Sequence, residues 1–222
     1  MAFLLTKLQY CAIIIPDIGR VGQKKKERQE MNKNSKFLLC TVAALIPVIV
    51  LYILFHELGH LIVMLSAGDV IDDFSILGAH VSGHGGEYTL VSAMWLNANG
   101  AVLPLIISFV YLLFYNKDRN STFYRLFSFF FGFAPAFSLL AWVIIPFAYI
   151  KGSAPAGDDA TKFLDSFSQI AHPLLVSAAA LLLIVPGIIL LIKKGAFRNY
   201  IYELRQANKK AAADPGISQQ NK

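Results

Sequence analysis

Cysteine is almost absent from this sequence, which contains only Cys11 and Cys40 among its 222 residues. The two have no CxxC spacing and no obvious shared location, so we expect free thiols, with neither a disulfide nor a cysteine-ligated metal. The chain also lacks an internal repeat, a second soluble domain and a basic patch interleaved with aromatic residues. The missing basic patch argues against nucleic acid as a partner.

Hydrophobic residues are abundant instead, at 56% of the chain, and the mean hydropathy is +0.55. A bilayer core requires roughly 20 consecutive apolar residues. Four segments reach that length, and each is continuously apolar, which favours helices over a barrel. The sequence therefore predicts an all-α polytopic membrane protein. The four predicted spans are Phe37 to about Leu65, Val91 to Tyr115, Phe123 to Ile150 and Pro173 to Ile192.

The basic residues are distributed unevenly among the connections between these spans. Residues 69–90 contain no lysine or arginine, whereas the segment before the first span, the second connection and the tail are basic. Because basic residues accumulate in cytoplasmic loops, we expect both termini to be cytoplasmic and the protein to lie in the cell membrane. The excess of basic residues that gives the net charge of +6 is therefore expected in the cytoplasmic segments. The basic residues in question are Lys24, Lys25, Lys26, Arg28, Lys33, Lys36, Lys117, Arg119, Arg125, Lys193, Lys194, Arg198, Arg205, Lys209 and Lys210.

The domain organisation expected from these patterns has three parts. Residues 1–36 are a basic cytoplasmic segment, residues 37–193 a transmembrane core, and residues 194–222 a cytoplasmic tail. Residues 1–30 are only patchily apolar and lack a cleavage signal, so we expect Met31 to be the natural start and residues 1–30 to be an upstream extension. The alternative is a genuine cytoplasmic arm that lies on the membrane surface.

The most informative motif, His56-Glu57-Leu58-Gly59-His60, lies within the first span. Three ionisable side chains at this depth are costly and indicate a function. On a helix, His56 and His60 are about 40° apart in azimuth and about 6 Å apart along the axis, so both imidazoles can reach one cation, usually zinc. Glu57 is placed to take a proton from a metal-bound water. The alternative is a pair of capping or interface histidines with a snorkelling glutamate.

Three polar clusters fall at a similar depth in the predicted topology. One is the histidine pair, in the outer half of the first span. Another is an asparagine- and glycine-containing start to the second span, and the third is an acidic pair in the outer loop before the fourth. A metal site requires this kind of convergence. The residues concerned are His56, His60, Asn97, Asn99, Gly100, Asp158 and Asp159.

Catalytic zinc sites typically have three protein ligands, so a carboxylate is expected to join the two histidines. The outer-facing candidates are Asp69, Asp72, Asp73, Glu87, Asp158, Asp159 and Asp165. The first three follow the motif too closely to fold back easily. The pair Asp158-Asp159 suits the start of a helix that runs toward the fourth span, with Asp158 slightly favoured as the ligand. Alternatively, both aspartates cap that helix and bind nothing.

The first outer connection and the tail have recognisable patterns of their own. Residues 70–91 contain strand-like stretches separated by glycines, which predict a short β-hairpin over the site. His80 and His84 are four apart, but the glycines around them indicate loop residues and not a second metal site. His172 is expected to be interfacial. Residues 196–210 mix aromatic and basic side chains and predict a short helix on the inner leaflet.

These motifs resemble the site-2 protease family of intramembrane zinc metalloproteases. The resemblance covers roughly residues 37–165 and depends on HELGH, on Asn97-Ala98-Asn99-Gly100-Ala101-Val102-Leu103-Pro104, and on an aspartate about a hundred residues after the histidines. It implies a zinc ion held by both histidines and that aspartate, with the glutamate as base. It also implies a substrate groove shaped by the asparagine and glycine motif. In this sequence the corresponding residues are His56, His60, Asp158 or Asp159, Glu57, Asn97, Asn99 and Gly100.

The sequence departs from the family pattern in two places. The third motif of the family is usually Leu-Asp-Gly, whereas here the most similar segments are Gly157-Asp158-Asp159 and Leu164-Asp165-Ser166. The second is usually Gly-x-x-x-Asn, whereas here the asparagines precede Gly100. The predicted site also lies near the outer face, while relatives often place it toward the cytoplasm. No PDZ-like or CBS-like domain is recognisable, so we expect a minimal catalytic core.

The expected function is that of a zinc-dependent intramembrane endopeptidase acting on a transmembrane protein substrate within the lipid bilayer. One alternative is a metal-binding membrane protein without protease activity, which the loose second and third motifs favour and the intact Glu57 disfavours. Another is a small transporter or channel. That function predicts polar residues along several spans, whereas the interiors of the third and fourth spans are nearly all apolar.

Overall fold

A computed structural model of the chain describes residues 33–211. Within that range the fold is all-α, with six helices and one two-stranded sheet. The elements in chain order are α1 (Lys33–Ser66), β1 (Val70–Ser75), β2 (His80–His84), α2 (Leu90–Leu113), α3 (Thr122–Ile150), α4 (Asp159–Phe167), α5 (Leu174–Lys193) and α6 (Ala196–Ala211). The predictions for residues 1–30, Met31 and Cys11 lie outside the described residues, whereas Cys40 is a free thiol.

Four of these helices, α1, α2, α3 and α5, are long and apolar enough to cross a membrane. They confirm the four spans predicted from sequence, and the largest shift is at the start of α1, which begins at Lys33 instead of Phe37. Many of their large apolar side chains point outward, and Leu182 is 73% exposed and Ile144 63% exposed. An outward apolar surface on helices of this length suits contact with lipid. The fold is therefore that of an all-α membrane protein.

The ends of the helices are fixed by side-chain caps that the sequence supplies locally. Thr89 accepts a hydrogen bond from the Ser92 amide at the start of α2, and Ser121 accepts one from the Tyr124 amide at the start of α3. Asp158 does the same for the Ala160 amide at the start of α4. Each cap satisfies a backbone donor that has no partner within the helix.

The hairpin predicted between the first two spans is present as β1 and β2. The strands pair antiparallel from Val70 opposite His84 to Ser75 opposite His80, with an irregularity between Ile71 and Asp73. The prediction that His80 and His84 are loop residues is wrong, because both lie in β2. Glycines at the strand ends obscured the alternation that pairs this segment with β1.

The predicted tail helix is present as α6, and it is held against the transmembrane helices by specific contacts. Glu203 of α6 accepts a 2.6 Å ion-pair hydrogen bond from Arg125 of α3. Asn199 donates to the Lys117 carbonyl at 2.8 Å, and Tyr200 stacks on Phe129 with ring centroids 4.1 Å apart. We call this end of the fold, where α6 meets the loop after α2, the basic end; the opposite end, with β1, β2 and α4, is the hairpin end.

The short helix α4 is anchored by a small core of its own. Ala160 and Leu164 are fully buried and pack with Ile145 of α3 and Val176 of α5. These contacts fix the rotation of α4 about its axis. The direction in which Asp159, the residue before Ala160, projects is therefore set by apolar packing.

Candidate metal centre

Two helices distant in sequence bring three potential metal ligands together at the hairpin end. His56 and His60 project from the same face of α1, and Asp159 projects from the first turn of α4. The Nε2 atoms of the two imidazoles are 3.1 Å apart. The Oδ2 atom of Asp159 lies 3.1 Å from Nε2 of His56 and 3.2 Å from Nε2 of His60. The three atoms thus form a nearly equilateral triangle.

The size of this triangle fits a small tetrahedral cation. With metal–ligand bonds of about 2.0–2.1 Å, tetrahedral geometry places ligand atoms about 3.3–3.4 Å apart. The three observed distances, 3.1, 3.1 and 3.2 Å, are slightly shorter. The donor set of two imidazole nitrogens and one carboxylate oxygen is one that catalytic zinc sites use. The residues therefore fit zinc in both chemistry and spacing.

A backbone carbonyl orients the imidazole of His60. Nδ1 of His60 lies 2.7 Å from the carbonyl oxygen of Leu96 in α2. Because a carbonyl only accepts hydrogen bonds, Nδ1 carries a proton, and Nε2 is the ring nitrogen that faces the triangle. This is the outer hydrogen bond that metal-binding histidines usually make. In His56 the corresponding Nδ1 is buried and makes no hydrogen bond within the described residues.

Two glycines allow α1 and α2 to approach closely enough for this arrangement. A Cβ atom on Gly100 would lie 2.5 Å from Nε2 of His60 and 2.8 Å from Cε1 of His56. A Cβ atom on Gly59 would overlap the backbone carbonyl of Asn99. The side chain of Asn99 then donates a 2.8 Å hydrogen bond to the Gly59 carbonyl, which ties the two helices together. Small residues and interhelical hydrogen bonds of this kind are typical of packed membrane helices.

The two adjacent aspartates at the start of α4 have different positions. Asp159 reaches the histidines, whereas the Asp158 carboxylate accepts a 2.9 Å hydrogen bond from the Ala160 amide. This placement corrects the sequence-based preference for Asp158, because a side chain occupied in capping α4 is not part of the triangle. Partial burial raises the pKa of Asp159, but hydrogen bonds with His56 and His60 outweigh it and hold that pKa below its ordinary value.

Glu57 lies next to the ligands and is only 4% exposed. Along an ideal helix it is about 60° in azimuth from His60, so it borders the ligand face without sharing it. Its carboxylate takes part in no hydrogen bond or ion pair formed among residues 35–208. An ionisable side chain within a spanning helix is costly, so Glu57 remains a candidate for a functional role.

Four of the other carboxylates considered from sequence have partners of their own at the hairpin end. Asp69 accepts hydrogen bonds from the Gly86 amide and the Tyr88 hydroxyl. Asp72 pairs with His84, and Asp73 pairs with His80. Asp165 accepts a 3.0 Å hydrogen bond from the Tyr149 hydroxyl. Among the described residues, Asp159 is the carboxylate that groups with the histidines as a possible metal ligand.

The residues expected to bind substrate are divided between two arrangements. Gly100 and Asn99 contribute to the crossing of α1 and α2. Asn97 instead donates a 2.9 Å hydrogen bond to the Ala93 carbonyl of its own helix. Sequence reasoning missed the contributions of Gly59 and of the Leu96 carbonyl. The first had a signal in the sequence, a glycine inside a helical metal motif, and the second had none because every residue carries a carbonyl.

The comparisons of this chain with known proteins found no match. No family model matches it, and no curated protein or solved structure has significant similarity to it. A functional assignment therefore depends on the residues of this chain.

Proposed function

We propose that this protein is a zinc-dependent intramembrane endopeptidase that hydrolyses a peptide bond of a transmembrane protein substrate. The observation that carries the proposal is the triangle formed by Nε2 of His56, Nε2 of His60 and Oδ2 of Asp159, with sides of 3.1–3.2 Å. The resemblance of the HELGH segment to site-2 proteases agrees with it. Because Asp159 comes from a separate helix, the grouping of three ligands adds support that the HELGH motif alone does not give.

The chemistry assigned to the residues is hydrolysis by an activated water. A zinc ion held by His56, His60 and Asp159 would polarise the scissile carbonyl and lower the pKa of the attacking water. Glu57 accepts a proton from the attacking water as the new carbon–oxygen bond forms at the scissile carbonyl. Glu57 then returns that proton to the leaving nitrogen as the carbon–nitrogen bond breaks, so the products are a carboxylic acid and an amine.

Substrate selection in this proposal depends on local unwinding. A transmembrane helix has its backbone groups hydrogen-bonded internally, so the scissile bond must leave the helix before it can be attacked. Asn97, at the hairpin end of α2, has an amide oxygen that is not used in its hydrogen bond with Ala93, and this oxygen is available to an unwound strand. We assign Asn97 to substrate binding, and we assign Asn99 and Gly100 to holding α2 against the metal ligands.

The proposed orientation places the site toward the outer face of the cell membrane, with both termini in the cytoplasm. Support comes from the charge asymmetry between the two ends of the fold. The loop after α2 contains Lys117 and Arg119, and the corner between α5 and α6 contains Lys193 and Lys194. The hairpin and the residues that flank it, from 69 to 89, contain no basic residue other than histidine.

The decisive experiment combines metal analysis with a cleavage assay. The wild-type protein, Glu57→Gln and His56→Ala are purified in detergent, their zinc content is measured by mass spectrometry, and each is incubated with a panel of single-span membrane peptides. We expect one zinc ion per chain in the wild type and in Glu57→Gln. We expect cleavage with the wild type alone, because Glu57→Gln loses the base and His56→Ala loses the metal.

The same experiment distinguishes the protease from a protein that only binds a metal. Stoichiometric zinc in the wild type without cleavage of any peptide supports a binding protein. Full cleavage by Glu57→Gln refutes the assignment of Glu57 as the base. A wild-type protein without bound zinc, which also fails to bind added Co²⁺ with a tetrahedral visible spectrum, refutes the metal centre.

A further inference from the structure

A second candidate binding site lies at the basic end, far from the metal ligands. It is an open cleft of about 450 Å³ between the loop that follows α2 and the corner between α5 and α6. Both of these segments come directly after spanning helices that end at Leu113 and Lys193. The cleft is lined by Leu113, Phe114, Tyr115, Asn116, Lys117, Asp118, Lys193 and Lys194.

The charge of this cleft is predominantly positive. Three lysines and one aspartate line it. Arg198 approaches the same corner, because a Cβ atom on Gly195 would lie 3.6 Å from its guanidinium and 3.7 Å from Cβ of Lys117. Within residues 35–208, Arg125 is the only lysine or arginine that forms an ion pair with an acidic side chain, so the cations of this corner are unpaired there.

One of the lysines is held in place. Nζ of Lys194 donates a 2.6 Å hydrogen bond to the Leu113 carbonyl, one of the carbonyls at the end of α2 that lack a helical partner. This bond fixes the ammonium group at the junction of α2 and α5. The Lys194 side chain therefore does not need to become ordered when an anion binds.

The edge of the cleft is apolar. Phe114 is 82% exposed, and the adjacent Leu113 is 54% exposed. An unpaired basic cluster bordered by exposed apolar side chains, at the ends of two spanning helices, matches the polar and apolar parts of a lipid at the membrane interface. A free phosphate or a soluble anion would make no use of Phe114.

We propose that this cleft binds the headgroup of an anionic phospholipid. The phosphodiester lies between Lys117, Lys193 and Lys194, and the acyl chains run along the Phe114 side of the cleft. The inference rests on the assignment of the four long helices to a membrane and does not depend on the proposed protease activity. Its failure would leave the metal centre unaffected.

Another cavity at the basic end is a natural control. It is lined by Lys36, Thr122, Arg125 and Glu203 among others. Both oxygens of Glu203 are already occupied, one by Arg125 at 2.6 Å and the other by Thr122 at 3.0 Å, and the pair Arg125–Glu203 is only 12–13% exposed. The positive charge of Arg125 is thus neutralised internally, and we expect no anionic lipid there.

The test measures binding of short-chain phosphatidylglycerol to the purified protein in a neutral detergent, with short-chain phosphatidylcholine and inorganic phosphate as competing probes. The variant Lys117→Gln/Lys193→Gln removes two cations of the cleft. Lys36→Gln/Arg205→Gln removes two cations that also lie at the basic end but do not line the cleft. We expect at least about tenfold weaker binding for the first variant and little change for the second. Lys117→Arg/Lys193→Arg should retain binding.

Several results would overturn the proposal. One is equal weakening of phosphatidylglycerol binding by the two glutamine double variants, which would show a general effect of charge. Another is no weakening of that binding by either of them. Comparable affinity for phosphatidylcholine would also overturn it, and so would full competition by inorganic phosphate, which would indicate a site for free anions. Thermal unfolding of the two glutamine double variants checks that they remain folded. If Lys117→Gln/Lys193→Gln unfolds, the single change Phe114→Ser replaces it. We expect Phe114→Ser to weaken lipid binding but not phosphate binding.

Discussion

The imidazole of His60 and the backbone of Gly100 occupy adjoining space where α1 crosses α2, and a Cβ atom at position 100 would lie 2.5 Å from Nε2 of His60. Nε2 is also the atom that faces Asp159, at 3.2 Å. An added methyl group therefore has to displace the imidazole or separate the helices, and either movement enlarges the ligand triangle. The smallest possible side chain at this position is thus a requirement of the candidate metal centre.

From this contact we expect Gly100→Ala to weaken zinc binding by at least about tenfold, the lower part of the range for changes that disturb how metal ligands are oriented. The measurement is a competitive titration of purified protein with a zinc chelator. Gly187→Ala is the matched control, because Gly187 also lies inside a spanning helix. The nearest atoms to its added Cβ would be two ring atoms of Phe109, at 3.0 and 3.2 Å, and the Cβ of Ala136 at 3.4 Å, and none of them belongs to a metal ligand. Equal zinc affinity in Gly100→Ala and the wild type would show that the crossing of α1 and α2 does not constrain the site.

The adjacent aspartates at the start of α4 give a second prediction, since they differ in role but not in chemistry. Asp159→Ala removes a ligand of the triangle, and we expect it to weaken zinc binding more than the roughly 10–100-fold typical of groups that only orient a ligand. Asp158→Ala removes the cap on the Ala160 amide, and we expect it to lower the free energy of unfolding by about 1 kcal/mol while zinc remains bound. Zinc content and thermal unfolding, measured on both variants, give opposite patterns if the assignment is correct. Loss of zinc in Asp158→Ala alone would reverse the two roles.

Much of this fold follows from sequence, because apolar length determines which segments can span a bilayer. The four spans were predictable in that way. The hairpin was predictable from strand-like stretches separated by glycines, and the tail helix from its mixture of aromatic and basic side chains. The choice between Asp158 and Asp159 was not, because neighbouring helical residues differ by about 100° in direction. That direction is set by Ala160 and Leu164, which pack against residues of α3 and α5 outside the local sequence of α4.

The position of the histidines of β2 shows the same limit. His80 and His84 are four apart, a spacing that has meaning on a helix but not on a strand, and the flanking glycines suggested a loop. In the structure the two histidines pair with two consecutive aspartates of β1, His80 with Asp73 and His84 with Asp72. Strand register decides these partners, and register arises from pairing between segments, so no local pattern contains it.

The pair His84–Asp72 gives a prediction about pH. A hydrogen bond with Asp72, together with its negative charge, raises the pKa of His84 above its ordinary value. The protonated form is thus favoured in the folded hairpin, so the stabilising effect of the pair is fully present below the pKa of the unfolded chain. It is lost as the pH rises through the higher pKa of the folded state. Both side chains are more than half exposed, so we expect a local effect on the hairpin and not global unfolding.

Titration of the His84 ring by NMR in detergent micelles measures this effect. We expect Asp72→Asn to lower the pKa of His84 toward its ordinary value of about 6.5. Asp118→Asn, which removes an exposed carboxylate at the basic end, should leave the His84 titration unchanged. An unaltered pKa in Asp72→Asn would mean that the two side chains do not pair in solution.

The orientation of the fold in the membrane is tested by labelling introduced cysteines. In a Cys11→Ser/Cys40→Ser background, Leu77→Cys places a thiol at the turn of the hairpin, where Leu77 is 98% exposed. Asn120→Cys places one in the exposed loop between α2 and α3, at the basic end. Because basic loops remain on the cytoplasmic side, a membrane-impermeant maleimide added to intact cells should label Leu77→Cys and not Asn120→Cys. Permeabilised cells should give labelling of both. The reverse pattern in intact cells would place the metal ligands toward the cytoplasm, so a substrate would have to be cleaved near the inner face of the membrane.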